Sequence, residues 1–486
     1  PSHPSRRLGL LCHTTCMTPT IAPRSQNLDL VSSSQPSVPQ HSATLVDTLL
    51  TVIEEGFPLP PGKKHLMRQD VLELWKDLTS EKSSRRADYM GEPARLSAYL
   101  RYFLPWNVVR LIPILASLKL ELQDGDTVLD LGSGPLTLPI ALWIARPELR
   151  ETKLTITCMD RVARVLEAGK AVFDSLRLRA GTPGAWTVQL ERGIFPQDNR
   201  PANSPRYSLI TEANVFNEGF WAANGRLDEK AAALAASLAQ TASPEGSVLL
   251  VEPGDPRTGA MLSALREAFI QAGGSVPAPC PHDAACPMSG VFTSASFRAD
   301  RELDKERMPK DKRPQAKDEP LRMVITARGR SKAPWCHFSL PTDAAPRRLL
   351  DFSESVGLAK DRLVASWIFA KPGIPSRSAA SPSNPAQPWV RIVSDAFRLP
   401  DGGYGRYACT ARGYTLARGA LANLPSMSLA ILDGPLPPAK SARDQKSGAL
   451  ILSAGQQRPD FPHKSRTAEK SGTAGKTYKP KPRGKR

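Results

Sequence analysis

The sequence predicts an α/β fold in which a parallel sheet is covered by helices, preceded by a helical region and followed by a small β-rich domain. Three observations predict it. From Asp126 onward, short apolar runs alternate with longer helical patterns, the texture of strand–helix–strand units. Before that point, residues 44–124 carry only helical spacing of apolar residues. After Gly273-Gly274 the helical pattern gives way to cysteine, proline and short strand-like pieces.

Taken in order, Ala43 to Glu55 places Leu45, Leu49, Leu50 and Ile53 on one helical face, and Asp70 to Leu78 repeats the period. Leu96 to Leu122 is strongly apolar, with Tyr99, Tyr102, Phe103 and Trp106 crowded near its start. At that spacing aromatic side chains fill a core more often than they stack on bases. Thr127-Val128-Leu129 reads as a first buried strand, Leu154 to Met159 as a second, and Arg161 to Leu176 as the helix that follows. Tyr207 to Ile210 and Ser247 to Val251 are further strands, with an Ala-rich helix, Asp228 to Leu238, between them. Residues 300–332 hold 11 Lys and Arg against seven acids, the signature of a solvated insertion. Strand-like pieces follow near 362–370, 389–394 and 405–418.

At 486 residues the chain is too long for one ordinary core, and its 46 prolines cluster near 1–40, 371–388 and 434–486, as in linkers and ends. The expected divisions are a disordered or targeting segment 1–43, a helical region 44–124, a nucleotide-type domain 125–275, a cysteine domain 276–435 with a charged insertion 291–332, and a basic disordered tail 436–486. Net charge is +18, and 13 Lys and Arg against three acids between Lys440 and Arg486 put more than half of it in the tail. Such tails bind phosphate backbones through counterion release, and otherwise serve as solubilising ends. Residues 1–28 fit a transit peptide, and equally translated sequence upstream of a start at Met17. Seven cysteines, few and odd in number, point to a reducing compartment without disulfide partners. No apolar run of about 18 residues predicts a membrane span.

Asp130-Leu131-Gly132-Ser133-Gly134-Pro135 falls where the first strand meets a helix. Glycines there let the backbone turn sharply and approach a ligand, and the helix N-terminus favours negative charge. Asp160 ends the second strand, where an acid can accept hydrogen bonds from a ribose diol. The bare alternative is a tight strand–helix turn. A dinucleotide site lacks its third glycine, since Leu136 and Thr137 follow Pro135. Together these residues resemble the first two motifs of class I S-adenosylmethionine-dependent methyltransferases. The resemblance implies a Rossmann-like methyltransferase domain with Asp130, Gly132, Gly134 and Asp160 at the cofactor. Catalytic residues are unassigned: Tyr207 to Asn214 ends the fourth strand without the Asn-Pro-Pro-Tyr signature of amino-group methylation.

Cys280-Pro281-His282 and Cys286-Pro287 lie in a proline-bound loop, and Trp335-Cys336-His337-Phe338 and Tyr407-Ala408-Cys409 each add a thiol. Four thiolates suit a zinc ion or an iron–sulfur cluster, although zinc usually takes two close pairs; four separate buried thiols are the alternative. With Val-Glu-Pro-Gly at 251–254 and Arg-Ile-Val-Ser-Asp at 391–395, these motifs resemble the mitochondrial and bacterial small-ribosomal-subunit methyltransferase-like proteins over roughly residues 90–420. The resemblance implies a role in assembling the small ribosomal subunit, contact with its rRNA, bound S-adenosylmethionine, and a 4Fe-4S cluster on Cys280, Cys286, Cys336 and Cys409, with zinc as the alternative. An active rRNA methyltransferase, or a zinc-containing interaction module with a vestigial nucleotide fold, are the rival expectations. The host compartment is bacterial cytoplasm or mitochondrial matrix. One departure stands out: 49 residues separate Cys286 from Cys336, where the family keeps the third cysteine close to the second. Cys12 and Cys16 have no matching role, and Cys158 is expected as strand core.

Overall fold

The computed structural model describes residues 28–62, 64–79, 89–182, 184–196, 203–216, 226–289, 334–375, 389–438, 441–445 and 447–455. Cys12, Cys16, the whole of the charged insertion 291–332 and the end of the basic tail lie outside the described residues.

The described chain opens with strand β1 (Leu30–Ser34) and helix α1 (Ser42–Gly56), which buries Val46, Leu49, Leu50 and Ile53. Helices α2 (Met67–Thr79) and α3 (Pro93–Ala98), a π-helical turn (Tyr99–Phe103) and α4 (Leu104–Ser117) complete the helical region. Then come β2 (Thr127–Leu131), α5 (Thr137–Ala145), β3 (Thr155–Asp160), α6 (Ala163–Arg179), β4 (Thr187–Arg192), β5 (Tyr207–Ala213), α7 (Leu227–Thr241), β6 (Ala242–Pro253), α8 (Pro256–Gln271), β7 (Ser275–Ala278), β8 (Phe338–Leu340), α9 (Arg347–Val356) and β9 (Leu363–Lys371).

These strands form one sheet in the order β4-β3-β2-β5-β6-β9-β7, with β8 pairing β9. Neighbours from β4 to β6 run parallel, and β9 runs antiparallel to β6 and β7. This is the Rossmann-like order of a methyltransferase fold. Both faces are covered, so successive strand residues are apolar in opposite directions. Val128, Ile156 and Leu209 join the core with the N-terminal helices, while Leu129, Leu131 and Ile210 join a second core under α7 and α8. All nine residues of α5 are buried between the sheet and α4. The strand order reverses about β2, which opens a crevice at the C-terminal ends of β2 and β5.

A second sheet holds β1, β10 (Trp389–Ile392), β12 (Tyr404–Thr410), β13 (Gly413–Gly419), β14 (Leu429–Leu432) and β15 (Leu450–Ala454), in the order β1-β14-β10-β12-β13-β15, with β11 (Phe397–Arg398) beside β12. Three differences from expectation follow. The nucleotide-type sheet does not stop at residue 275: it takes β7, β8 and β9 from the stretch assigned to the cysteine domain, because these strands cover the far edge of β6. Residues 28–34 of the segment expected to be disordered or targeting, 1–43, join the fold, with β1 pairing Leu429–Leu432 and Leu28 bridging Ala454. The expected tail 436–486 likewise contains β15, parallel to Thr415–Gly419. Strand β4 had no expectation at all; its Thr-Val-Gln-Leu-Glu-Arg sequence lies largely exposed at a sheet edge and needs no apolar run.

Candidate cofactor cavity and cysteine site

The glycine turn is built from conformations that only a few residues tolerate. Gly132, Gly134 and Leu136 all have positive φ, at 59°, 54° and 57°. Gly132 also has no room for a side chain, since a Cβ would come 2.2 Å from the Val215 side chain. On its other side the turn leans on α6, where a Cβ on Gly169 would lie 2.3 Å from the Pro135 carbonyl carbon. Asp160 ties the turn to the tip of β3: one carboxylate oxygen accepts from Gly134 N–H at 3.0 Å and the other from Val162 N–H at 2.9 Å.

The close approach at Gly169 yields a prediction. Gly169→Ala must push Pro135 and the turn aside, at a cost of about 1–3 kcal/mol for overpacking. Thermal denaturation should show a lowered melting temperature, whereas Gly181→Ala, whose surroundings are open, should cost only the strain of its positive φ. Equal, negligible shifts for the two would contradict the close approach.

Above the turn lies a cavity of about 1050 Å³ whose lining includes Gly132, Asp160, Val162, Phe195, Asn214 and Phe216. It continues past the strand tips to Tyr99, Tyr102, Trp106, Arg110, Lys360 and Arg362. Tyr102 and Trp106 are core residues, as expected: the Tyr102 hydroxyl donates to Leu358 O at 2.9 Å and the Trp106 indole N–H to Ser353 Oγ at 2.8 Å. Asp130 does not line the cavity. It lies beneath it, where it accepts from the Ser133 hydroxyl and from Thr211 Oγ1 at 2.7 Å. Burial raises its carboxyl to about 7, against those two hydrogen bonds.

Polar groups collect at the cavity's inner wall. Arg110 Nη2 donates to Asn107 Oδ1 at 2.9 Å and to Asn214 Oδ1 at 2.7 Å, holding Asn214 at its positive φ of 65°. Behind that wall, outside the cavity lining, Glu212 and Glu252 are both fully buried, and burial followed by the Glu252 charge raises Glu212 well above the usual carboxylate range. Lys360 sits 5.9 Å from the ring centroids of Tyr102 and Trp106, its ammonium lowered by burial and then by Arg110. Arg110 was the detectable member of this group, as a lone charge within the apolar run Leu104–Ser117. Nothing local marked Lys360 or Glu212.

The four expected cysteines come from three segments and meet beside α8. Burial raises Cys286 to about 12, with the charge of Cys280 adding to it. Burial, then the charges of Cys280 and Cys286, raises Cys336 well above the usual thiol range, and Cys409 responds in the same way to all three of the others. Cys336 follows the long gap and packs between α8 and β9. Its carbonyl accepts from Ser366 Oγ at 2.6 Å, and Gly259 of α8 is bare where Trp335 and Cys336 press against it. The Trp335 indole in turn donates to Gly254 O, on the cavity wall, at 3.0 Å. His282 Nε2 lies 3.3 Å from Cys409 Sγ, and burial followed by Arg266 lowers its imidazole to about 4. Among the described residues no group of three or more His, Cys, Asp or Glu forms a ready metal cage. Cys158 is buried in β3, away from this group, and burial raises its thiol.

Solved structures that resemble the chain include a precorrin-6y C5,15-methyltransferase from Geobacter metallireducens, 18% identical over 34% of this chain and 72% of that one, with a TM-score of 0.24. Another is an S-adenosylmethionine-dependent methyltransferase from Geobacter sulfurreducens in complex with S-adenosyl-L-homocysteine, 16% identical over 61% of this chain and 96% of that one, TM-score 0.25. The strand order, rather than these scores, carries the fold. No curated protein matches the chain. No helix of the described residues is long and apolar enough to cross a membrane. The family model described as mitochondrial small ribosomal subunit Rsm22 matches residues 97–345, from the end of α3 through the glycine turn to just past β8. Because that match spans just over half of its 486 residues, the chain belongs to the mitochondrial small ribosomal subunit Rsm22 family.

Proposed function

We propose that this protein assists assembly of the mitochondrial small ribosomal subunit in the matrix, binding its rRNA, with S-adenosylmethionine in the cavity and a 4Fe-4S cluster on Cys280, Cys286, Cys336 and Cys409. The observation that carries the reading is the family match over residues 97–345, and the cluster is supported by the contacts of Cys280 and Cys336 with α8 and by the influence of all three other thiols on Cys409. The donor set fits the cluster, since thiolates are its usual ligands. Bound there, a cluster would tie the loop after β7, the segment before β8 and β12 into one unit.

The cavity fits the nucleotide cofactor. Each Asp160 oxygen accepts one backbone N–H and keeps lone pairs for ribose hydroxyls, and the space above Gly134 is open. Gly132 and Asp160 would line the pocket; Gly134 and Asp130 would shape the turn below it. Asp160→Ala is expected to weaken S-adenosylmethionine binding by about 1.5–3 kcal/mol, the worth of a hydrogen bond to a charged group. Titration calorimetry on the two proteins reads this, with the melting temperature of each reporting damage to the turn. A wild-type chain that binds no cofactor would mark the pocket as vestigial.

Methyl transfer to rRNA is a second reading, favoured by one observation: the cavity runs on from the cofactor side to Asn214, Arg110 and Lys360, leaving room for an acceptor. Transfer of labelled methyl groups to small-subunit rRNA, lost in Asn214→Ala, would support it.

A further inference from the structure

We infer that Arg266 and Arg391 are the counter-charges of the four-cysteine site, placed by the fold to offset a thiolate-bound metal group and to set its reduction potential. This rests on the proposal that Cys280, Cys286, Cys336 and Cys409 bind a cluster.

The geometry is specific. Arg266, on α8, is 2% exposed. Its Nε–H donates to Cys280 Sγ at 3.1 Å, and its Nη2 donates to His282 O at 2.6 Å and Ala284 O at 3.0 Å, so one guanidinium grips both a thiol and the loop that carries it. Arg391, on β10, approaches from the opposite sheet: its Nε–H donates to Pro279 O at 2.7 Å and its Nη1 to Met427 O. Among the described residues neither guanidinium forms an ion pair with a carboxylate; Arg266 touches Cys280, and Arg391 is the cross-strand partner of Cys409.

A buried guanidinium with only neutral partners is costly. The buried Arg266 and the part-buried Arg391 around four protonated thiols would repel each other without compensation. Four thiolates around a doubly positive centre instead leave two negative charges, which the two guanidiniums match. The pair therefore suits thiolates bound to a metal group and not four independent buried thiols. A positive charge and an N–H···S bond both favour the more reduced, more negative state of a cluster.

The test uses the full chain, reconstituted anaerobically with iron and sulfide, as wild type and as Arg266→Gln, Arg391→Gln, Arg266→Lys and Arg391→Lys. Iron and sulfide per chain and the midpoint potential are measured for each. The expected result is a lower potential in both Gln proteins, with the Lys proteins close to wild type. If the Gln proteins hold no iron, the Lys proteins decide: retained iron and potential support the charge role, and loss of iron there overturns it. Wild type that takes up no iron removes the cluster reading and this inference together. Wild type with iron, and Gln proteins of unchanged potential, overturns this inference alone.

Discussion

Serine in place of any one of Cys280, Cys286, Cys336 or Cys409 is expected to strip the protein of iron and to lower its melting temperature by a similar amount at all four positions. The thiols belong to three segments, the loop after β7, the segment before β8 and strand β12, so a metal bound by all four would add its binding energy to folding. Structural metal sites of this kind are worth on the order of 10 kcal/mol, well above the cost of losing one small buried side chain. Cys158→Ser is the control. That thiol is fully buried in β3 and should cost stability without touching iron content. Iron, sulfide and melting temperature across the five variants distinguish the cases. Unequal losses that do not track iron would indicate four separate core thiols. A Cys336→Ser protein with full iron would show that the insertion has displaced this ligand.

Removing residues 456–486 is expected to weaken binding to small-subunit rRNA by orders of magnitude at low salt while leaving the fold intact. That stretch holds ten Lys and Arg against two acids. For every phosphate that the shortened chain no longer neutralises, the slope of log affinity against log salt should flatten by about 0.7–0.9. The cut must fall after β15, because Leu450–Ala454 pairs with β13 and Ala454 also bridges Leu28. A cut at residue 440 would take away an edge of the C-terminal sheet and confuse lost charge with lost structure. An unchanged salt slope in the shorter protein would show that the tail does not touch RNA.

What could be read from the sequence follows from where each element sits. β2, β3, β5 and β6 are central strands covered on both faces, so their apolar runs stand out, and α5 is apolar all round for the same reason. β1 and β4 lie at edges, where polar side chains face water and no run is needed. The end of the nucleotide-type sheet was invisible because β9 joins it from beyond an insertion, a pairing that only the folded chain expresses. The same division holds in the sites. Gly132 and Asp160 announce themselves through local spacing. Gly169, Arg266 and Arg391 do not, since each acquires its role from a neighbour in another segment: Pro135, Cys280 and Pro279 respectively. Asp130 shows the converse, a residue conspicuous in its motif that shapes the turn from below.

Gradient sedimentation of the full chain with isolated mitochondrial small and large ribosomal subunits tests the proposed role most directly. Migration with the small subunit and not the large, persisting at moderate salt and weakened by loss of residues 456–486, is the expected result. A chain that stays at the top of the gradient, or that migrates equally with both subunits, would contradict it.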